Sequence, residues 1–248
     1  MKAMVLAAGL GTRLRPLTND RPKALVELNG RTLLEITLSR LRQFGVQQVI
    51  INAHHFSDLL VEYLAAKNNF GMTVEVSREE VLLDTGGGLK KASHFFIDRT
   101  SSDDEPFILH NVDVISNIDL ARMMLFHRQQ AALATLAVQE RKTSRYLLFD
   151  ETGRLCGRSS RDGKTEQVRP SPNPRALAFC GIHIISTRFL KLMTEDGVFS
   201  ILQPYLRLAG VGEQITGFRA DEYYWKDLGK TENLEQAEDD VNRGRMLL

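Results

Sequence analysis

Lys2-Ala3-Met4-Val5-Leu6-Ala7-Ala8-Gly9-Leu10-Gly11-Thr12-Arg13-Leu14-Arg15-Pro16-Leu17-Thr18 changes character at Gly9. Lys2–Ala8 is a short, continuously apolar run with no helical period, which predicts a buried strand. The loop that follows, to about Pro22, holds two glycines, two prolines and three arginines among few apolar residues. Gly9 and Gly11 let backbone N–H groups approach phosphate oxygens with no Cβ in the way. Arg13 can set a rigid guanidinium fork on those oxygens, and Lys23, after Pro22, adds a second cation. A dinucleotide loop would need a glycine where Leu14 stands, and a P-loop would end in Gly-Lys-Ser/Thr, which is absent here. A surface loop of merely solvated arginines is the plain alternative. The co-occurrence of Thr12-Arg13, Pro16 and Pro22-Lys23 argues against it.

Outward from this loop, strand and helix patterns alternate. Leu33, Leu34, Leu38, Leu41 and Phe44 have helical spacing up to Gly45, a helix stop. Gln48–Asn52 predicts a second buried strand, Phe56–Lys67 a helix and Met72–Ser77 a third strand. Gly86–Phe95 reads as loop into helix, Pro106–His110 as a fourth strand and Ile118–Arg128 as a helix. The order implies an α/β fold: a Rossmann-like, mostly parallel sheet with helices on both faces. Past about residue 130 the pattern becomes mixed. Ala131–Gln139, Arg145–Asp150, Arg154–Arg158 and Ala176–Ser186 predict strands. Phe199–Ala209 and Glu232–Asn242 predict helices, and polar Ser159–Arg175 a loop or flap. One domain over 1–248 is expected, with a nucleotide-binding half (1–130) and a second half (131–248).

The chain has 248 residues and carries a formal net charge of +1. No global field therefore favours nucleic acid or a membrane surface. Cys156 and Cys180 are too few for a disulfide framework and read as buried thiols in a reducing compartment. No run approaches the ~20 apolar residues that span a bilayer. A cytoplasmic location is expected. Self-association is left open.

The motif Ala8–Thr18 with Pro22-Lys23 resembles the signature of the sugar-1-phosphate nucleotidyltransferases, and the resemblance extends over nearly the whole chain. Leu83-Asp84-Thr85-Gly86-Gly87-Gly88-Leu89 looks closest to the N-acetylmuramate-1-phosphate uridylyltransferases, with the mannose-1-phosphate guanylyltransferases next. The resemblance implies a glycosyltransferase-A-like fold and a reaction in which a nucleoside triphosphate and a sugar 1-phosphate give a nucleotide sugar and pyrophosphate. That reaction implies Mg²⁺ and, for the muramate case, a role in cell-wall precursor supply.

Mg²⁺ takes few protein carboxylates and completes its shell with phosphate oxygens and water. Asp113 lies just past a strand, at its carboxyl end, where open α/β sheets bind ligands. Asp227, in Trp225-Lys226-Asp227-Leu228-Gly229, precedes the last helix. Both match the family's metal aspartates. Arg13, Lys23 and Asp113 are the expected catalytic residues. Ala8, Gly9, Gly11, Thr12, Arg13, Lys23, Asn52, Asp84, Gly86, Gly87 and Asn111 are expected around the nucleotide, and Gly181 near the sugar. Arg13 and Lys23, in polar loop sequence, are expected to matter little to stability. The acidic runs Asp103-Asp104-Glu105 and Asp239-Asp240 read as solvated.

Three departures from the family pattern stand out. Val112 occupies a position where the family usually has a small residue and where a branched side chain can crowd the metal or nucleoside. Ala24 stands where many members have Pro. No Glu-Lys-Pro sugar motif is present. Rival readings are GTP with mannose 1-phosphate, a phosphocholine cytidylyltransferase, and a non-catalytic nucleotide-sugar sensor. The sensor predicts loss of Arg13, Lys23 or an aspartate, and all are retained.

Overall fold

In the computed structural model, which describes residues 1–97, 104–160 and 162–248, the first apolar run forms β1 (Lys2–Leu6), buried from Ala3 onward. Its side chains alternate between two cores. Ala3 and Val5 enter one apolar cluster, Met4 and Leu6 the other, as a strand covered on both faces requires. A two-residue ribbon, β2 (Glu27–Leu28) and β3 (Arg31–Thr32), leads into α1 (Leu33–Gln43). Thr32 caps α1: its Oγ1 accepts from the Glu35 N–H at 3.0 Å. Then come β4 (Gln48–Ala53), α2 (Ser57–Ala66), β5 (Thr73–Arg78), α3 (Asp84–Lys91), β6 (Phe107–Asn111), β7 (Val114–Ser116) and α4 (Leu120–Gln129). β5, β4, β1 and β6 lie side by side and parallel. Every expected strand of this half is present within a residue or two of its predicted ends.

The second half contains β8 (Ala134–Gln139), β9 (Arg145–Phe149), β10 (Leu155–Ser160), β11 (Thr165–Gln167) and β12 (Arg175–Ile185). It continues with α5 (Thr187–Leu192), α6 (Leu202–Gly210), β13 (Ile215–Arg219), β14 (Trp225–Asp227) and α7 (Thr231–Asn242). β12 runs antiparallel against β6, so strands of both halves share one mixed ten-stranded sheet. The α/β class with flanking helices is borne out.

Several local expectations change. The Ser159–Arg175 stretch is not all loop: β10 and β11 pair as a hairpin, with Arg158 opposite Glu166 and a 2.7 Å ion pair between them. Its residues are polar on both faces, so periodicity could not reveal the ladder. Arg161 and Asp103 lie outside the described residues. Asp104 is not simply solvated: it accepts from the Arg188 N–H at 2.9 Å and from the hydroxyls of Ser186 and Thr187, capping α5. Asp240 is also engaged, accepting from Lys226 Nζ at 2.7 Å and Tyr224 Oη at 3.0 Å. These contacts pin β14 to α7.

Candidate active site

The loop after β1 is held at both ends. Asn52 Oδ1, on β4, accepts from the Ala7 N–H at 2.8 Å, and Asn52 Nδ2 donates to Glu79 Oε1 at 2.7 Å. Asn52, expected at the nucleotide, therefore spends both ends of its buried amide holding the loop to the sheet. Gly11 adopts φ 63°, and a Cβ there would lie 2.9 Å from Thr18 Cγ2. Thr18 Oγ1 in turn donates to Gly11 O at 2.9 Å, closing the loop into a ring. Leu14 plugs it into the core, while Thr12 and Arg13 stay exposed. A Cβ on Gly9 would come within 3.3 Å of Lys23 Nζ, so the loop wraps the lysine closely.

Lys23 is not the solvated loop residue that its polar neighbours suggested. Its ammonium donates to Asp113 Oδ2 at 2.7 Å, with the two side chains only 14% and 11% exposed. Asp113 sits in the sharp connection between β6 and β7, at the carboxyl end of the parallel strands. Asp227 reaches it through an antiparallel ladder in which Asp227 faces Val114 and Trp225 faces Ser116. The Leu228 N–H donates to Asp113 O at 2.7 Å, and Asp227 Oδ1 accepts from the Gly229 N–H at 2.7 Å. Asn233 Nδ2, one turn into α7, donates to Asp227 O at 2.7 Å.

Gly229 marks the focus of the site, and it was absent from the expected residues. A Cβ there would lie 2.7 Å from Arg13 Nη2, 2.8 Å from Asp227 Oδ1 and 3.4 Å from Asp113 Oδ2. One point thus gathers the cation of the first loop and both acids. The signal was in plain view: Gly229 lies two residues beyond Asp227, the spacing at which its N–H reaches back to that carboxylate. Two convergent carboxylates suit Mg²⁺, which takes its remaining ligands from phosphate and water. Among the described residues no third acid, histidine or cysteine joins them. Val112 does not crowd them: its side chain is fully buried in the cluster that α1 covers.

The glycine run is placed differently from its reading as an open nucleotide loop. Gly86, Gly87 and Gly88 are buried in α3. The Gly86 and Gly87 N–H groups both donate to Phe199 O, at 2.9 and 3.2 Å. A Cβ on Gly86 would sit 2.4 Å from the Phe199 ring, and one on Gly88 2.8 Å from both Asn52 Nδ2 and Glu79 Oε1. Their small size lets α3 approach the second half and β4, while Asp84, at φ 61°, stays exposed beside them. Gly181, expected near the sugar, has φ 73°, and Asn111 Nδ2 fills the space 2.8 Å from where its Cβ would be. Asn111 and Gly181 are therefore in contact, on neighbouring strands.

Two other buried groups of this region stay uncharged near neutral pH. Burial, with Arg40 adding to it, pushes His110 down to about 4. Burial pushes the Cys180 thiol up to about 12. Both cysteines are free and buried, as expected.

Residues 2–154 match the family model described as nucleotidyl transferase. The N-acetylmuramate alpha-1-phosphate uridylyltransferase of Caulobacter vibrioides is 34% identical over 245 residues, covering 95% of each chain. A UTP--glucose-1-phosphate uridylyltransferase of Synechocystis is 27% identical over 96% of this chain and 62% of its own length. A crystal structure of HddC from Yersinia pseudotuberculosis complexed with GMP-PN superposes with a TM-score of 0.76 at 21% identity, over 97% of this chain and 99% of that one. The chain belongs to the nucleotidyl transferase family. Within it, the chain is a sugar-1-phosphate nucleotidyltransferase, the class expected from its loop and aspartates. No helix among the described residues is long and apolar enough to cross a membrane.

Proposed function

We propose that this enzyme transfers the uridylyl group of UTP to N-acetylmuramate 1-phosphate, giving the UDP-sugar and pyrophosphate. The observation that carries the choice of substrates is the 34% identical uridylyltransferase matched end to end over 95% of both chains. Guanylyltransferase relatives are 33% identical over 56% of this chain, or 30% identical over 94% of it but only 62% of their own length, so GTP with mannose 1-phosphate is the second reading.

The attacking oxygen of a sugar 1-phosphate is already anionic near neutral pH. It displaces pyrophosphate from the α-phosphorus in line: one P–O bond forms, the α–β bridging bond breaks, and no proton need be abstracted. Catalysis then rests on positioning and on neutralising charge. Arg13, exposed at the loop tip, takes the leaving pyrophosphate. Lys23 exchanges Asp113 for the phosphates when the nucleotide enters. Backbone N–H groups from Ala8 to Thr12 line the phosphate path, and Asn111 and Gly181 border the acceptor side. Asp113 and Asp227 would hold Mg²⁺, which supplies Lewis-acid neutralisation of the phosphate oxygens.

The experiment is pyrophosphate release with UTP and GTP in direct competition, against each sugar 1-phosphate in turn. A site that hydrogen-bonds one base rejects the other strongly, so the expected result is a lopsided preference for UTP and N-acetylmuramate 1-phosphate. Preference for GTP and mannose 1-phosphate would replace the substrate pair.

A further inference from the structure

β12 breaks its ladder with β8 between Phe179 and His183, and two side chains close on the carbonyls left there. Arg141 Nη2, just past the end of β8, donates to Phe179 O at 2.7 Å. Trp225 Nε1, on β14, donates to Cys180 O at 2.7 Å. The guanidinium lies on the Trp225 ring, its carbon 3.7 Å from the ring centroid. Trp225 and Asp227 are two residues apart on one strand, so their side chains leave from the same face. The stacked pair therefore sits on the face of β14 that carries the metal-ligand candidate. The same break holds Gly181, whose contact with Asn111 joins it to the strand running into Asp113.

Arg141 is under-bonded for a half-buried cation. Nε is enclosed with no hydrogen-bond partner, and beyond the Nη2 bond to Phe179 O the guanidinium has only the buried Cys180 thiol beside it among the described residues. No carboxylate there comes within ion-pair distance of it, and Asp221 is committed to Arg219 at 2.6 Å. Removing a charge from water is unfavourable unless it is paired, and stacking on the indole offsets only part of that. A rigid fork left without a counter-ion fits a carboxylate or phosphate. The nucleotide phosphates already have Arg13 and Lys23.

We propose that Arg141 binds a carboxylate on the acceptor sugar, and that the acceptors of this enzyme are acidic sugar 1-phosphates. The inference rests on the uridylyl-transfer reading above and deepens it. N-acetylmuramate differs from N-acetylglucosamine by a lactyl ether that bears such a carboxylate. Arg141 acts as a specificity residue through the guanidinium edge not used by Phe179, held in orientation by Trp225 and by the Phe179 carbonyl.

The test is the ratio of kcat/KM for N-acetylmuramate 1-phosphate over N-acetylglucosamine 1-phosphate, with UTP and Mg²⁺, in the wild type, R141M and R141K. Losing one charge-assisted hydrogen-bonded contact is worth roughly 10- to 100-fold. The wild type should favour the acidic acceptor, and R141M should lower the ratio by that factor through KM of the acidic acceptor. R141K keeps a cation on the ring but not the fork, and should fall between. If R141M fails to fold, the R141K ratio decides, and an unchanged ratio overturns the proposal. Equal losses on both acceptors would assign Arg141 to the shared phosphate or to packing, and would also overturn it. A wild type that prefers the neutral acceptor would overturn the acidic-acceptor inference while leaving uridylyl transfer standing. Turnover only with GTP and mannose 1-phosphate would remove the underlying reading instead.

Discussion

Gly229→Ala isolates the geometry of the site from the stability of the fold. The added Cβ would lie 2.8 Å from Asp227 Oδ1 and 2.7 Å from Arg13 Nη2, roughly 0.7 Å inside ordinary contact distance for either atom. Arg13 is exposed and can give way at its tip. The Asp227 carboxylate cannot do so freely, because the Gly229 N–H itself holds Oδ1 at 2.7 Å. The carboxylate must rotate off that bond, away from the point it shares with Asp113. Gly229 does not lie in the left-handed region, so alanine imposes no backbone strain and the melting temperature should move by only a degree or two. Misplacing a reacting geometry by about 1 Å costs on the order of 10²-fold, so kcat should fall by about 10- to 100-fold. Initial rates of pyrophosphate release at saturating substrates, beside thermal melts of both proteins, provide the check. An alanine variant with wild-type turnover would refute the convergence of Arg13, Asp113 and Asp227 on that point.

Lys23→Ala should do more than slow the reaction. It strands the mostly buried Asp113 carboxylate, and breaking a pair in such a setting, discounted for its partial exposure, should cost about 1–2 kcal/mol of stability. Arg13→Ala, at an exposed position, should stay within about 0.5 kcal/mol of wild type, so urea melts of the two variants side by side should separate them. Stability should also fall in acid. His110 and His183 are held near 4 and 3 by burial, against an ordinary value of 6.5. The unfolded chain therefore takes up protons that the native one refuses. Their contribution is fully present above about pH 6.5 and drains as pH falls toward 4, by up to about 1.4 kcal/mol per pH unit for each histidine. Unfolding free energies that stay flat between pH 6.5 and 4.5 would show these histidines to be protonated in the native state.

Much of the nucleotide half could be read directly from residues. Lys2–Leu6 and Gln48–Ala53 are apolar runs bounded by a loop and helices, and burial on both faces leaves few other arrangements for them. Gly9, Gly11 and Arg13 stood out as candidates because phosphate chemistry constrains both residue type and spacing, and the fold brings Arg13 beside both aspartates. What joins the two halves was less visible. β7 and β14 have three residues each, too few to show an alternation, yet they bring Asp113 and Asp227 together. The packing role of Gly86 and Gly87 was invisible because local sequence does not reveal that Phe199, more than a hundred residues away, lies against them. Lys23 read as solvated for the same reason: its partner is remote, and a charge in a polar loop shows nothing of its burial. Arg141 had no motif at all, since its meaning depends on a tryptophan from the far end of the chain.

The ladder between β7 and β14 also governs when the enzyme becomes active. β1, β4 and β5 pair through connections that are short by comparison, whereas Asp113 and Asp227 meet only after the whole antiparallel half has been threaded between them. Loop-closure entropy rises slowly with length, but it must be overcome before a distant contact begins to stabilise anything, and such contacts form slowly. During refolding, secondary structure should therefore recover ahead of pyrophosphate release, and burial of Trp225, the single tryptophan and itself on β14, should recover together with it. Catalytic competence is a kinetic marker for the last long-range closure of the chain.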